Sequence, residues 1–458
     1  MQKQTSVEQF LERAESLPII DVRSPGEYEH AHIPGALSLP LFSDLERAEV
    51  GTIYKQRSRV QAVQKGLEFV GPKLKEFTKF ALKLNSKEIL IHCWRGGMRS
   101  SAMAWLLGTV DLDCTLLTGG YKAYRNYVLS TFEQPYKIIL LGGYTGSGKT
   151  EILGSLNDSG EQVIDLEGIA NHKGSAFGSL GQDVQPSTEQ FENILSGILR
   201  KMDPERVIWV EDESRNVGKI PIPQGFWNQM RKSSLIRIDT SYEVRLERLM
   251  RDYACFDTEE LAPVIKKIEK RLGYDRCKRA VEACNNGDLE TAARICLDYY
   301  DACYSDQLRE RFGEVPSATP SLSVETLDVS TIIDKLKKHT MSTRDINSKI
   351  AVVINKNGMG TAPEELAHTL IKNYLTIINS EERIPSYICF YGDGVKLACE
   401  GSHVLEELKA IEEKGCKLVI CKTCLIYNNL LESIKAGTIG TMLDIIDIQH
   451  NCTKIITL

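Results

Sequence analysis

The stretch Gly143-Tyr-Thr-Gly-Ser-Gly-Lys-Thr150 limits what this chain can fold into more than any other. It satisfies the G-x-x-x-x-G-K-[ST] pattern in full and follows the apolar run Lys137-Ile-Ile-Leu-Leu141. Such a loop works between a buried strand and the first turn of a helix, where glycines let backbone amides close on phosphate oxygens. The phosphate-binding positions are Gly143, Gly146, Ser147, Gly148, Lys149 and Thr150; Lys149 adds a point charge, and Thr150 stands where a magnesium ion is held. A strand feeding a helix in this way predicts a parallel α/β sheet. The short apolar runs Gln162-Val-Ile-Asp165, Arg206-Val-Ile-Trp-Val210 and Ser234-Leu-Ile-Arg-Ile238, spaced by helical stretches, agree. The loop recognises a diphosphate, which nucleotides and prenyl diphosphates both carry.

Two strand ends offer carboxylates to this loop. Glu211 and Asp212 follow one strand and Asp165 follows another; each suits an acid, a base or a metal ligand, or equally a helix cap. Arg245, Arg248 and Arg251 recur every three residues on one helix face, as a clamp for the diphosphate or as a solvated row. Residues 264–279 hold Lys266, Lys267, Lys270, Arg271, Arg276, Lys278 and Arg279 against two acids, a net +5 and the densest basic patch in the chain. Binding a nucleic-acid backbone needs a patch of this kind, and the overall charge of −6 does not oppose it, because the requirement is local.

A second constellation lies nearer the start. Cys93-Trp-Arg-Gly-Gly-Met-Arg-Ser100 follows the strand-like run Glu88-Ile-Leu-Ile-His92 and opens a helix. Amides in such a turn point inward and form an anion nest lined by Trp94, Arg95, Gly96, Gly97, Met98 and Arg99. That setting favours a Cys93 thiolate able to attack sulfur, selenium or phosphorus on an anionic donor. The plainer alternative is a small core residue closing a strand.

Asp21-Val-Arg-Ser-Pro-Gly-Glu-Tyr28 and His32-Ile-Pro-Gly-Ala36 resemble the opening signature of rhodanese-like sulfurtransferases, and Cys93 falls where their persulfide-forming cysteine sits. Arg99 lies six positions after Cys93, where many rhodaneses have five, so the loop is similar to that of phosphatase-type relatives that hold a phosphate-sized oxyanion. A phosphate-bearing donor, or phosphatase activity, is the expectation. Together with Ala48-Glu-Val-Gly-Thr-Ile-Tyr-Lys55, Gly119-Gly-Tyr-Lys-Ala-Tyr-Arg125, Asp165-Leu-Glu-Gly-Ile-Ala-Asn-His172 and Glu211-Asp-Glu-Ser-Arg-Asn216, these motifs resemble the tRNA 2-selenouridine synthase family over about residues 5 to 338. The resemblance implies a two-step reaction on tRNA bearing 2-thiouridine at the wobble position. The sulfur is geranylated from geranyl diphosphate, and the S-geranyl group is then displaced by selenium from selenophosphate, which a partner enzyme supplies. No tightly bound cofactor is implied, with Mg2+ at the phosphate loop.

Residues 349–458 alternate again: Lys349-Ile-Ala-Val-Val-Ile354, Ser386-Tyr-Ile-Cys-Phe390 and Lys417-Leu-Val-Ile420 read as strands between helices. Phe390-Tyr-Gly-Asp-Gly-Val-Lys-Leu-Ala398, Glu400-Gly-Ser402 and Cys421-Lys-Thr-Cys-Leu425 resemble the DsrE-like domain of selenium-metabolism proteins of the YedF type. That resemblance implies a carrier thiol on Cys421 or Cys424, although Lys422 stands where a glycine is usual. The C-x-x-C spacing alone suits zinc, but no second ligand pair completes four.

The expected architecture is therefore α/β in three domains: rhodanese-like over 1–132, a phosphate-loop domain with a helical tail over 133–338, and DsrE-like over 349–458. Residues 314–321 read as a loop, Val329 to Lys338 as an amphipathic closing segment and 339–348 as a linker; Val60 to Leu84 reads as one helical stretch. Thirteen scattered cysteines fit free thiols in a reducing cytosol, and no apolar run approaches the ~20 residues that cross a membrane. Rival readings are an ATP-dependent kinase or NTPase coupled to a sulfurtransferase, and a non-catalytic selenium or sulfur carrier.

Overall fold

A computed structural model describes residues 3–312, 321–324, 350–381, 384–452 and 454–458. Of the loop expected over 314–321 only Ser321 is described, and it begins a strand; the segment Val329 to Lys338 and the linker 339–348 lie outside the described residues. Two compact units result, Met1–Ile333 and Asp334–Leu458.

The first unit holds two parallel sheets. One comprises β1 (Lys3–Thr5), β2 (Ile19–Asp21), β3 (Ala36–Ser38), β4 (Glu88–His92) and β5 (Asp113–Leu117), in the order β1-β5-β4-β2-β3. The other comprises β6 (Lys137–Gly143), β7 (Gln162–Ile164), β8 (Val207–Glu211), β11 (Ser234–Thr240) and β12 (Ser321–Val324), in the order β12-β11-β6-β8-β7, beside the antiparallel pair β9 (Asn216–Val217) and β10 (Ile220–Pro221). The phosphate-loop strand β6 is central, and its residues Ile138 to Gly143 are buried, as a parallel strand covered on both faces requires. The strands missed from sequence are mostly short or at sheet edges, such as β1 and β3; β5, five residues long and inside its sheet, opens on Asp113-Cys-Thr and so lacks a continuous apolar run.

One expected helix is broken. Residues 60–84 form two helices, Arg59–Val70 and Leu74–Leu82, parted by a tight turn at Gly71–Lys73. Pro72 has no amide to donate and its ring crowds the preceding turn, so the ladder cannot pass it.

The two sheets of this unit share one core. The helix Gly120–Thr131 lies against the helix Thr188–Arg200, and Tyr121, Tyr124, Val128 and Phe132 pack with Phe191, Leu195 and Leu199. At the centre of the seam Asn193 is fully buried. Its amide donates to the His32 carbonyl at 2.9 Å and to the Tyr121 hydroxyl at 2.8 Å, and its oxygen accepts from Arg125 at 2.5 Å. Sequence motifs divide this region in two; burial joins it.

The second unit has its own core and a sheet of β13 (Ile350–Ile354), β14 (Tyr387–Phe390), β15 (Lys417–Cys421), β16 (Thr438–Gly440) and β17 (Lys454–Thr457), ordered β16-β15-β14-β13-β17 and parallel throughout. Among the described residues, no helix is long and apolar enough to cross a membrane.

Asn193→Ala should destabilise the first unit by about 2–3 kcal/mol, because it removes three hydrogen bonds across the seam at once. Urea unfolding of the purified protein checks this.

Candidate active site

Cys93 directly follows β4 and is buried. Its sulfur receives the Gly97 N–H at 3.3 Å and lies 3.2 Å from the Ser100 hydroxyl. The loop is braced from behind by the start of the helix Gly120–Thr131: the Tyr121 amide donates to the Cys93 carbonyl at 2.8 Å and the Lys122 amide to that of Trp94 at 3.0 Å. Gly120 has φ +62, and a Cβ there would stand 2.3 Å from the Cys93 carbonyl oxygen, so the approach demands glycine. Trp94, Arg95, Gly97 and Met98 are exposed on the rim, while Gly96 turns inward with φ +64. Arg99 does not point freely at an anion: it pairs with Glu27 at 2.9 Å, a carboxylate that also takes Arg47. Asp21 and Arg23 of the opening motif form a buried ion pair at 2.6 Å, with Arg23 stacked 3.7 Å from the Tyr121 ring. They hold the scaffold and do not reach the loop. His92 beneath is kept neutral by burial, its pKa lowered to about 4.

The phosphate loop runs from β6 into the helix Lys149–Asp158. Gly146 and Gly148 have φ +79 and +85, and Lys149 folds back to the Gly143 carbonyl at 3.1 Å. Ser147 is buried, and its hydroxyl has no hydrogen-bond partner among the described residues; Thr150 is exposed at the helix start. The arginine row is largely committed elsewhere. Arg245, buried, makes a two-point pair with Asp301 and donates to the Thr145 carbonyl at 3.2 Å. Arg248 pairs with Glu151 at 2.8 Å and Arg251 with the same carboxylate at 2.9 Å. The reading of this row as a free diphosphate clamp is corrected for Arg245, which braces the loop and does not line the cleft in front of it; Arg248 and Arg251 do line it.

That cleft, about 1350 Å³, is bounded by the loop, residues 172–188 and the helical tail. The three acids picked from sequence sit differently around it. Asp165 caps the helix Leu166–Ala170 through the Gly168 amide at 2.7 Å. Glu211 is fully buried and accepts from the Leu166 amide at 2.9 Å; burial first, then nearby Asp165 and Glu167, raise its pKa well above the usual range. Asp212 lines the cleft but pairs with Arg311 at 2.9 Å, and burial raises its pKa against the pull of that arginine. Two acids that sequence reasoning passed over do face the cleft beside Lys149: Glu167 and Glu213. Their carboxylates lie together, and burial, the largest cause for each, raises both pKa values, with Glu167 adding to the rise at Glu213. Both carboxylates close on Gly174, where a Cβ would lie 2.5 Å from Glu167 Oε1 and 3.0 Å from Glu213 Oε1. The signal was the repetition of acids two residues apart, 165 with 167 and 211 with 213.

All seven basic residues of 264–279 are exposed, and Lys267 and Arg271 reach the cleft wall. In the second unit Cys421 ends β15 fully buried, whereas half-buried Cys424 receives the Gly392 amide at 3.1 Å. Burial raises the Cys424 pKa; Cys421 and Asp393 add to the rise and the Gly392 amide opposes it. Among the described residues no cluster of three or more His, Cys, Asp or Glu is placed to hold a metal.

Residues 136–325 match the family model of the tRNA 2-selenouridine synthase AAA domain, residues 4–127 that of the rhodanese-like domain, and residues 345–458 that of the DsrE/DsrF-like family. The tRNA 2-selenouridine synthase of Nitrosomonas europaea is 32% identical over 349 residues, covering 64% of this chain and 90% of the relative. That of Pseudomonas fluorescens strain Pf0-1 is 36% identical over 340 residues, covering 66% and 91%. That of Shewanella frigidimarina is 35% identical over 272 residues, covering 58% and 72%.

Because folding raises the proton affinity of Glu213, the folded chain keeps a proton that the unfolded chain has released above the ordinary carboxylate range. Stability therefore falls as pH rises through that window. Glu213→Gln should flatten the fall by about 1 kcal/mol, read from urea midpoints across pH 5 to 8.

Proposed function

The chain belongs to the tRNA 2-selenouridine synthase family, a family of transferases, and from that premise we propose that it first geranylates the sulfur of a wobble 2-thiouridine in tRNA and then exchanges S-geranyl for selenium. The observation that carries this reading is the joining of a phosphate loop and an amide-lined cysteine loop through one core.

In the first step the thiocarbonyl sulfur attacks C1 of geranyl diphosphate. The C1–O bond breaks, and its electron pair leaves on the diphosphate, which the loop amides and Lys149 stabilise. The N3 proton of the base goes to the Glu167–Glu213 pair, whose raised proton affinity suits a base near neutral pH. The residues present fit Mg2+: Thr150 and the substrate's own phosphate oxygens would hold it, adding charge neutralisation at the leaving diphosphate. Asp212 is a poorer ligand, since its oxygens face Arg311 and Tyr304.

In the second step selenium from selenophosphate adds at C2 and the geranyl thiolate leaves. Water then cleaves the phosphorus–selenium bond, releasing phosphate. Cys93 and the amides around it hold the phosphate-sized donor. The exposed basic residues of 264–279 carry the tRNA backbone, with Lys267 and Arg271 nearest the cleft. The DsrE-like unit relays selenium or sulfur, and Cys424 is the better carrier thiol because Cys421 is fully buried.

Nucleoside mass spectrometry on thiolated tRNA, given geranyl diphosphate and then selenophosphate, tests both steps. Lys149→Ala should lower geranylation by about a hundredfold, the scale of a lost leaving-group contact. Cys93→Ala should keep geranylation and lose selenation. Equal loss of both steps in folded Cys93→Ala would overturn the division of labour. ATP turnover that depends on Lys149, with thiouridine unchanged, would put the chain among NTPases; thiouridine unchanged with labelled cysteines would make it a carrier.

A further inference from the structure

Beside the phosphate loop lies a second hollow, of about 70 Å³, between the helices Tyr242–Tyr253, Thr258–Lys267 and Leu289–Phe312. Its surface is almost entirely carbon, supplied by side chains such as Phe177, Leu249, Met250, Leu261, Ile265 and Leu297. It adjoins the cleft: Thr145, Ser175, Leu249, Tyr253 and Tyr300 border both spaces. We propose that this hollow receives the isoprenoid chain of the prenyl diphosphate and sets the chain length the enzyme accepts. The inference rests on the prenyl-transfer reading above and deepens it by assigning the tail a site.

Three observations support the assignment. Thr145 belongs to the phosphate loop, so a ligand with its diphosphate on the loop amides has its first carbons at the mouth of the hollow. An apolar recess opening onto a polar cleft leaves carbon surface facing water, which is unfavourable unless a ligand covers it. A nucleoside does not fit the description, since ribose and base bring polar atoms that a carbon wall leaves unpaired. The space is smaller than a ten-carbon chain. Met250, half-buried on the wall, is unbranched and yields for the second isoprene unit, as methionines do in adaptable pockets. Ala293, also half-buried on the wall, is small where a larger side chain would close the space.

The test compares dimethylallyl, geranyl and farnesyl diphosphates as donors to thiolated tRNA, and measures calorimetric binding of each and of inorganic diphosphate. Ala293→Phe should lower kcat/KM for geranyl at least about tenfold while dimethylallyl stays within about twofold. Met250→Ala should raise farnesyl relative to geranyl by about fivefold. Inorganic diphosphate should bind both variants as it binds the wild type, which also shows that they are folded. Unchanged ratios among the three donors in both variants, with transfer intact, would overturn the hollow and leave the prenyl-transfer reading standing. If the wild type binds geranyl diphosphate more tightly than inorganic diphosphate, loses that advantage in Ala293→Phe, yet alkylates no tRNA, the hollow stands and the transfer reading falls.

Discussion

A parallel strand must hand the chain to a crossover at its carboxyl end, and the amides freed at that turn have no partner in sheet or helix. The candidate reactive groups named above sit on that constraint. Cys93 follows β4, the phosphate loop follows β6, the acids follow β7 and β8, and Cys421 and Cys424 stand at the end of β15. Where the freed amides converge they make a cradle for negative charge. Where they do not, a side chain caps them, as Asp165 does for Gly168. Gly120 and Gly148 show how tight the construction is, since a Cβ at either would collide with the neighbouring loop or with Arg248.

Electrostatics then separates scaffold from site. Arg23, Arg245 and Arg248 are buried, and each is matched by a carboxylate: Asp21, Asp301 and Glu151. Burying a guanidinium without such a partner is costly, so these arginines hold loops in place. Glu167 and Glu213 invert the pattern. They are two acids brought together next to Lys149, and burial first, then their neighbours, raises the proton affinity of both. Strongly shifted acids in a cleft are the usual mark of a functional site, and the proposed base role rests on that.

The phosphate loop by itself accepts any diphosphate. Its two neighbours narrow the choice: a broad polar cleft with exposed lysines and arginines on one side, and a carbon-lined hollow on the other. In the proposed reading the first side takes a nucleic acid approaching from solvent, and the second a chain leaving it. The proposed alkylation, joining a tRNA sulfur to an isoprenoid, calls for two such environments meeting at the phosphate.

The amino-acid sequence by itself determined the α/β class, the strands β2, β4, β6, β7, β8, β11, β13, β14 and β15, and the places of Cys93 and Lys149. Local rules suffice for these: apolar runs of strand length, glycines at sharp turns, and a fixed spacing from loop to lysine. Edge strands such as β1 (Lys-Gln-Thr) and β12 (Ser-Leu-Ser-Val) escaped because they carry no apolar run, unlike the equally short β2 and β7, and the break at Pro72 was overridden by a helical pattern on both sides. Only the tertiary structure decided that Arg245 braces the loop, that Arg99 answers Glu27, and that Glu167 and Glu213 meet across some forty-five residues of chain. It also placed one core, sealed at Asn193, between regions whose motifs read as separate domains. The reason is common to all of these: which charge finds which partner depends on distances through space, and sequence spacing fixes those only within a turn or a strand.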